Sequence, residues 1–329
     1  MKWSGKRVLV TGAGGFIGSH LCEALVEQGA DVTALIRYSS RTDCGNLDYL
    51  DKNHRQNINS IAGNIEDASF VDGLVKGKEV VFHLAALIGI PYSYSAPRSY
   101  LRTNVEGTVN LLEAVRKFPV ESLVHTSTSE VYGTAIYTPI DEAHPLQGQS
   151  PYSASKIAAD HFVDSYVRCF GINVVTIRPF NTFGPRQSER AVIPTVISQV
   201  LSQPEIRMGS LSPIRDFVYV TDTVDAFLKA ASTPEAIGKT IHIGTGTGIS
   251  ISTLAGTVMD QLNCKKKIIV DQERERPKNS EVFELLCNPA LANKLLKWVP
   301  KTPFNDGLKH TVAFIQKHLD RYRPAHYVT

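Results

Sequence analysis

The sequence has no long hydrophobic run, little excess charge and few cysteines. No apolar stretch of its 329 residues approaches the ~20 residues that a membrane-spanning helix needs. Basic residues number 35 and acidic residues 32, and this balance of +3 is too small to indicate a nucleic-acid partner. The five cysteines lie in no Cys-x-x-Cys or cysteine–histidine pattern that would bind a metal. These absences predict no membrane anchor, no nucleic-acid partner and no metal.

The cysteines and the N-terminus together indicate a compartment. An odd, dispersed set of thiols is typical of a reducing environment and does not suggest a disulfide framework. The first residues, MKWSGKRVLVTG, lead directly into a strand and a turn without a signal-peptide pattern. We therefore expect a soluble cytoplasmic protein.

The first half of the chain alternates short β-branched runs with longer amphipathic stretches. Alternation of this kind predicts an α/β fold with a Rossmann-type doubly wound parallel sheet. Apolar runs without strict alternation are typical of strands covered on both faces. Five such runs predict strands: RVLVTG (7–12), DVTALI (31–36), EVVFHLAA (79–86), SLVHTST (122–128) and NVVTIRP (173–179).

A glycine-rich turn follows the first predicted strand. The segment VLVTGAGGFIG places Gly12, Gly15 and Gly18 between that strand and the first predicted helix. Glycines there allow a tight turn and let backbone N–H groups approach a pyrophosphate at the helix N-terminus. The spacing G-x-x-G-x-x-G differs from the commoner G-x-G-x-x-G, and a purely structural turn is the alternative. The position between strand and helix favours a dinucleotide.

The end of the second predicted strand indicates which dinucleotide binds. An acidic residue there would accept a hydrogen bond from the adenosine ribose 2′-hydroxyl, but Ile36 stands where such an acid is expected. Arginine and hydroxyl groups instead suit a 2′-phosphate, although a solvated polar loop is the alternative. We predict NADP, with NAD as the second choice, on the side chains that follow: Arg37, Ser39, Ser40 and Arg41.

The segment SPYSASKIAADHF places Tyr152 and Lys156 four residues apart. On a helix this spacing puts both side chains on one face. A tyrosine with its ordinary pKa of ~10 is a poor base at neutral pH. An ammonium beside it favours the phenolate, so that Tyr152 can exchange a proton with a hydroxyl group. The same spacing occurs by chance in many proteins, but the preceding glycine turn supports a catalytic role for the pair.

The alternating pattern loosens after about residue 180, where proline, glycine and serine become frequent. We predict a dinucleotide-binding domain over residues 1–180, to which residues 216–245 return. Residues 181–215 and 246–329 are predicted to form a smaller C-terminal substrate lobe.

Motifs along nearly the whole chain resemble those of the extended short-chain dehydrogenase/reductases, in the sugar-nucleotide epimerase/dehydratase group. The chain is identified as a member because the motifs occur in that family's order. The resemblance implies an NAD(P) cofactor, tightly bound and regenerated in each cycle, and a nucleotide-sugar substrate. The matching segments are TGAGGFIGSHL, HLAA, TNVEGTVNLLEA, TSTSEVYG, YSASK, RPFNTFGPRQ, RDFVYVTD and RPKNSEV.

The resemblance also implies catalytic roles. Thr128 is expected to bind the sugar O4, Tyr152 to take its proton, and Lys156 to bind the nicotinamide ribose. A 4-epimerase needs little else, whereas a 4,6-dehydratase must also remove the C5 proton, for which Glu130 is a suitable base. With Ser129 too weak an acid, Glu130 would also deliver the proton to the departing C6 hydroxyl, and hydride would return to C6.

The triplet Thr128-Ser129-Glu130 is that of GDP-mannose 4,6-dehydratases, and we therefore favour a nucleotide-sugar 4,6-dehydratase. A 4-epimerase is the alternative. Nucleotide-glucuronate decarboxylases share the triplet but typically differ around the YxxxK tyrosine. A dinucleotide sensor without activity is disfavoured because Thr128, Tyr152 and Lys156 are all retained.

Further contacts are carried over by resemblance. Asn64 stands where the family usually has an aspartate near the adenine, and Asn104 is expected to be a structural hydrogen-bonding residue. Cofactor contacts are predicted for Gly12, Gly15, Phe16, Ile17, Gly18, Arg37, Ser39, Ser40, Asn64, Ile65, Leu84, Ala85, Ala86, Tyr152, Lys156 and Pro179. Substrate contacts are predicted for Ile90, Tyr92, Asn181, Arg186, Val192, Arg215 and Arg276.

The loop ALIGIPYSYSAP (86–97) is apolar and aromatic where many relatives are polar. It resembles dehydratases of bacterial nonulosonic acid pathways, which implies a UDP- or GDP-linked N-acetylglucosamine, although core packing would explain such residues equally well. The stretches 99–117 and 153–170 match the paired helices of the family's dimer interface. They predict a homodimer, and packing on their own sheet is the alternative.

Overall fold

The structure is a computed structural model that describes residues 1–40, 42–275 and 277–324. Arg41 and Arg276, both named above, lie outside the described residues. The strands of the described part are β1 (Arg7–Thr11), β2 (Asp31–Arg37), β3 (Ile58–Gly63), β4 (Val80–His83), β5 (Ser122–Thr126), β6 (Val174–Pro179), β7 (Asn181–Phe183), β8 (Ile206–Met208), β9 (Ile214–Tyr219), β10 (Thr240–Ile243), β11 (Gly248–Ser250), β12 (Ile268–Val270) and β13 (Glu284–Leu285).

The helices alternate with these strands through the first two thirds of the chain. They are α1 (Phe16–Glu27), α2 (Lys52–Gln56), α3 (Ala68–Val75), α4 (Ile90–Ser95), α5 (Pro97–Tyr100), α6 (Gly107–Lys117), α7 (Pro151–Phe170), α8 (Val192–Ser202), α9 (Val220–Ser232), α10 (Ile251–Gln261), α11 (Ala290–Leu296) and α12 (Phe304–Lys317). A π-helical turn, Leu101–Glu106, joins α5 to α6. No helix in the three described ranges is long and apolar enough to cross a bilayer.

Seven strands form one parallel sheet in the order β10-β6-β5-β4-β1-β2-β3. Leu21 of α1 and Phe227 of α9 pack on one face, and Val71 of α3 and Leu111 of α6 pack on the other. The strand order reverses beside β1, so that β1 lies between β2 and β4, and ligands of such sheets bind outside the carboxyl ends of the strands at this reversal. The predicted α/β Rossmann-type fold is confirmed.

A smaller lobe has its own core and its own sheet. β9 lies between β11 and β13 and also pairs with β7, while β8 pairs with β12. Side chains of α8, α10 and α12 pack into this second core, among them Val196, Leu254 and Leu308. In the segment 216–245, β9 lies in this smaller sheet, whereas β10 pairs with β6 of the large one.

Candidate active site

The carboxyl ends of β1, β4 and β5 meet around one crevice. Thr11, the last residue of β1, fixes the chain after β4, because its hydroxyl oxygen accepts hydrogen bonds from the N–H groups of Leu84 (3.2 Å) and Ala85 (3.1 Å). The hydroxyl also bonds Nδ1 of His83 at 2.8 Å. The backbone that follows β4 is therefore held directly beside the glycine turn.

The glycine turn fits a pyrophosphate. Gly12 has a φ of +69°, and a Cβ there would lie 2.7 Å from the backbone nitrogen of Ala85. A Cβ on Gly18 would lie 2.3 Å from the Gly12 carbonyl oxygen. Helix α1 begins after Gly15 without a side-chain cap and without an acidic residue in its first turn. Its first N–H groups are thus available to an anion, which the helix dipole also favours.

Other predicted cofactor residues surround this turn. Arg37 ends β2 with an exposed side chain, and Ser39 and Ser40 follow it, also exposed. Asn64 lies just beyond β3, where its side-chain oxygen accepts a hydrogen bond from the N–H of Glu66 at 3.1 Å. The remaining members are half-buried or buried at the start of α1 or at the ends of β3, β4 and β6: Phe16, Ile17, Ile65, Leu84, Ala85, Ala86 and Pro179.

Helix α7 begins at Pro151, and this start places the predicted catalytic pair. The hydroxyl of Ser150 accepts a hydrogen bond from the Ser153 N–H (3.1 Å), and the hydroxyl of Ser153 accepts one from the Ser150 N–H (2.9 Å). This reciprocal capping box, with Pro151 as the first helical residue, fixes the start of the helix. Tyr152 and Lys156 then share a face that points into the crevice.

Tyr152 is buried, with 7% of its surface exposed. Burial raises the pKa of its hydroxyl above the ordinary value, while a hydrogen bond with the Thr128 side chain lowers it and the charge of Glu130 raises it. The expectation from sequence counted only the lysine ammonium, which favours the phenolate. In the structure desolvation is the larger influence, because a phenolate is costly to bury.

The ammonium of Lys156 donates a hydrogen bond to the carbonyl oxygen of Thr126 at 2.7 Å. Burial lowers the pKa of Lys156 to about 8, and the carboxylate of Asp160 opposes that shift. Lys156 is therefore charged at neutral pH and titrates only slightly above it.

The triplet 128–130 begins a short 3₁₀ helix at the end of β5, Ser129–Tyr132. Thr128 caps it, because its hydroxyl oxygen accepts a hydrogen bond from the Glu130 N–H at 3.2 Å. Ser129 is buried, whereas Glu130 is partly exposed. The Tyr152 hydroxyl is hydrogen-bonded to Thr128, and the charge of Glu130 raises its pKa. The structure therefore brings Thr128, Glu130 and Tyr152 together.

The apolar loop after β4 forms one wall of the crevice. Ile90 is buried in a small cluster with Tyr100 and Tyr152, whereas Tyr92 is 44% exposed. Asn104 holds the loop, since its side chain accepts a hydrogen bond from the Leu87 N–H (2.8 Å) and donates one to the Leu87 carbonyl (2.9 Å). This agrees with the structural role expected for Asn104.

Three of the predicted substrate residues lie in the smaller lobe. Asn181 begins β7, and its side-chain oxygen is a buried atom that has no hydrogen-bond partner in the part of the chain that is described. Arg215 is buried on β9, with Nη1 donating to the Ile214 carbonyl (3.0 Å) and Nη2 lying 3.8 Å from the Glu281 carboxylate. Val192 is the partly buried first residue of α8.

Arg186 is turned away from these groups. Its guanidinium pairs with the carboxylate of Glu23 on α1 at 2.7 Å, and its carbonyl oxygen accepts a hydrogen bond from the Asn46 side chain at 2.9 Å. Because Glu23 lies on the cofactor-side helix, Arg186 links the two lobes. Its predicted substrate contact therefore stays a prediction that competes with this ion pair.

Sequence reasoning missed a buried polar cluster behind the catalytic pair. Asp160 accepts hydrogen bonds from Ser127 (2.6 Å), from His125 (3.1 Å) and from the Arg178 guanidinium (2.8 Å). A signal was present, because Asp160 follows Lys156 by four residues and so lies on the same helical face.

A family model described as GDP-mannose 4,6 dehydratase matches residues 9–311. The chain belongs to that family. This confirms the family suggested by the motifs, and the family contains the extended short-chain dehydrogenase/reductase fold found here.

Relatives of this chain include proteins named as 4,6-dehydratases and proteins named as 4-epimerases. A dTDP-D-glucose 4,6-dehydratase of Mus musculus is 33% identical over 97% of this chain and 91% of its own length. A UDP-glucose 4-epimerase of Mycolicibacterium smegmatis is 32% identical over 94% of this chain and 98% of its own. The structure is similar to DesIV, a dTDP-glucose 4,6-dehydratase of Streptomyces venezuelae with NAD and TYD bound, with a TM-score of 0.87, 27% identity and coverage of 97% and 100%.

Proposed function

We propose that this family member is a nucleotide-sugar 4,6-dehydratase that converts a nucleoside-diphosphate hexose to its 4-keto-6-deoxy product. The observation that carries the proposal is the position of the Glu130 carboxylate. Its charge raises the pKa of the Tyr152 hydroxyl, and Glu130 follows Thr128 by two residues. Oxidation at C4 requires Thr128, Tyr152 and Lys156. A base beside C5 is required only when the C5 proton must leave.

Each residue then has a proton to hold or move. Thr128 binds the sugar O4, and Tyr152 takes the O4 proton while Lys156 stabilises the negative charge with its ammonium. A bound nicotinamide dinucleotide supplies the hydride acceptor for C4 and the hydride donor for C6. The resulting 4-keto group acidifies the C5 hydrogen, which Glu130 removes and passes to the departing C6 hydroxyl as water forms. A solvent proton is then added at C5 and replaces the one that left with the water.

The proposed sugar is an N-acetylglucosamine linked to UDP or GDP. Ile90, Tyr100 and Tyr152 form an apolar cluster at the crevice, and Tyr92 beside them exposes part of its ring. Such a wall suits the methyl group of an acetamido substituent. Arg215 suits the diphosphate because a guanidinium can donate two parallel hydrogen bonds to phosphate oxygens, and the amide nitrogen of Asn181 can donate to them as well.

Mass spectrometry after incubation with UDP-, GDP- and dTDP-sugars tests the proposal. Loss of one water identifies a 4,6-dehydratase, and loss of carbon dioxide identifies a decarboxylase. In deuterated water the product of the proposed route carries one solvent deuteron at C5. A chain that releases no water from any sugar nucleotide of the panel is not a 4,6-dehydratase.

A 4-epimerase is the second candidate, favoured by relatives such as the Mycolicibacterium smegmatis protein named UDP-glucose 4-epimerase. It would use Thr128, Tyr152 and Lys156 in the same way and leave Glu130 without a chemical task. Unchanged product mass with altered NMR couplings at C4 would identify it.

NADP is the proposed cofactor, since Arg37 and the hydroxyls of Ser39 and Ser40 stand at the end of β2 where a 2′-phosphate is bound. The NAD in the Streptomyces venezuelae structure supports a nicotinamide dinucleotide in general. Calorimetric titration with both cofactors decides between them, and tighter binding of NADP+ is the expected result.

Replacing Gly18 by alanine should weaken this binding. The added Cβ would lie 2.3 Å from the Gly12 carbonyl oxygen, so the turn must shift away from the pyrophosphate. We expect titration to show affinity lower by more than about 10-fold, the ratio that corresponds to ~1.4 kcal/mol. Gly256→Ala on α10 is the matched control, since nothing lies within 4 Å of its added Cβ. The control should bind normally and be stabilised by ~0.5–1 kcal/mol, and a Gly18 variant that also binds normally would contradict the assignment.

A homodimer is proposed through α7 and the π-helical turn. Phe162 on α7 is 42% exposed and Leu101 on the turn is 52% exposed. The two elements pack against each other, and a contiguous apolar patch across them would favour a protein partner. We expect sedimentation to give a species of twice the 36.2 kDa chain mass, and Phe162→Asp to give the single chain. Val299→Asp, at an exposed apolar residue outside this surface, should leave the dimer intact. A wild-type protein that sediments at 36.2 kDa alone rejects the dimer.

A further inference from the structure

A buried carboxylate connects helix α7 to strands β5 and β6. One oxygen of Asp160 lies 3.1 Å from His125 Nε2, and the other accepts hydrogen bonds from Ser127 Oγ (2.6 Å) and from two nitrogens of Arg178 (2.8 and 3.2 Å). Asp160 and Arg178 are 8% and 6% exposed. A carboxylate with this number of donors is held in one position, because each bond restricts it in a different direction.

These bonds reach the segment that carries the catalytic threonine. His125 and Ser127 flank Thr126, whose carbonyl oxygen accepts the hydrogen bond of the Lys156 ammonium at 2.7 Å. Three contacts therefore join α7 to the end of β5, immediately before Thr128. The same contacts limit the separation of Thr128 from Tyr152, since Thr128 directly follows Ser127 and Tyr152 lies one helical turn before Lys156.

The cluster holds two cations and one carboxylate. Histidines face it from two strands, His83 from β4 and His125 from β5, and burial lowers the pKa of both, so that they are neutral. Arg178 from β6 donates a hydrogen bond to the Tyr132 hydroxyl at 2.6 Å. On α7 itself Lys156 lies between Tyr152 and Asp160. Near Tyr132, burial raises the pKa of Glu142 and lowers that of His242, whose ring bonds the Tyr132 hydroxyl.

We infer that Asp160 is a positioning residue for C4 oxidation: its carboxylate fixes Thr128 relative to Tyr152 and keeps the Lys156 ammonium charged in the core. The inference rests on the proposed Tyr152–Lys156 chemistry, which a dehydratase and an epimerase share. The alternative is that Asp160 only neutralises Arg178. The two differ in what happens to Lys156 when the charge at position 160 is removed.

Asp160→Asn keeps the shape of the side chain and removes its charge. The charge that opposes the effect of burial on Lys156 is then gone, and Lys156 can release its proton whereas arginine stays protonated. Its pKa, about 8 in the native chain, must fall. We expect the alkaline limb of kcat against pH to move down by about 1–3 pH units, the usual effect of an adjacent opposite charge. Asp160→Glu, which keeps the charge but changes the geometry, should lower kcat without moving the limb.

Asp164→Asn is the matched control on the same helix. Asp164 lies one turn further along α7, exposed and paired with Arg168 at 2.9 Å, and its replacement should leave the pH profile unchanged. A uniform fall in kcat across the pH range in Asp160→Asn, with the alkaline limb in place, would reduce Asp160 to a structural partner of Arg178.

A readout that needs no substrate separates this inference from the proposed function. The pKa of Lys156 is about 8 in the folded chain and 10.5 in the unfolded chain. As the pH falls below 10.5, the unfolded chain therefore binds this proton more readily, and the folded chain loses stability. Asp160→Asn should therefore lower the denaturant midpoint more at pH 7 than at pH 10, and Lys156→Met should remove that difference. If no sugar nucleotide turns over, this cycle still tests Asp160, and a midpoint shift independent of both pH and Lys156 overturns the inference.

Discussion

Replacing Glu130 by glutamine should stop water loss while leaving C4 oxidation in place. The amide keeps the size of the side chain and the Glu130 N–H bond to Thr128, but it cannot accept the C5 proton. Loss of a positioned general base costs about 10²–10⁴-fold in rate. Single-turnover absorbance should show reduced nicotinamide accumulating with the 4-keto sugar, and mass spectrometry should detect no dehydrated product.

Glu235→Gln is the control for this variant, because Glu235 is exposed in the 3₁₀ helix Pro234–Ala236, away from the crevice. It should dehydrate at the native rate. A Glu130→Gln protein that also dehydrates at the native rate would remove the base from the mechanism. If the native protein epimerises at C4 and the Glu130 variant does so equally well, the second candidate function is correct.

Tyr152→Phe should lose C4 oxidation itself, and with it every later step. The variant keeps the ring that packs edge-on against Tyr100, with centroids 6.2 Å apart, so that folding and substrate binding change little. It lacks the hydroxyl that takes the O4 proton, and we expect kcat to fall by about 10²–10⁴-fold. Stopped-flow absorbance of reduced nicotinamide measures this step directly.

Tyr166→Phe, further along α7, is the control. Its hydroxyl binds Glu113 on α6, so that oxidation should proceed normally. Retention of rapid nicotinamide reduction by Tyr152→Phe would mean that another group accepts the O4 proton.

The large sheet could be predicted because its central strands are continuous β-branched runs. β3 (Ile58–Gly63) was missed, since INSIAG lies at the sheet edge, leaves most side chains partly exposed and contains Asn, Ser and Gly, which disfavour strands. The stretch 99–117 was read as one helical pattern. It contains a π-helical turn, Leu101–Glu106, and hydropathy cannot distinguish that turn from the α-helix after it.

The candidate site, like the sheet, could be predicted from the sequence only in part. Local motifs placed Gly12, Gly18, Tyr152 and Lys156, because each depends on a turn or on one helical face. The effect of burial on Tyr152 could not be read from spacing, since it depends on side chains from other elements. The contacts of Asp160 join residues that are 18 to 35 positions apart in the sequence, and the ion pair of Arg186 with Glu23 joins residues more than 160 positions apart. No short sequence motif indicates contacts of this kind.

The path of the backbone between β6 and β10 constrains how such a chain can diversify. The polypeptide leaves the large sheet after β6, builds β7, α8, β8 and β9 in the smaller lobe, and then returns to complete the sheet edge with β10. Neither lobe is a continuous piece of sequence, so a single recombination event cannot exchange one intact. Exchange of a whole lobe would therefore need more than one junction, and the returning strand β10 would still have to pair with β6.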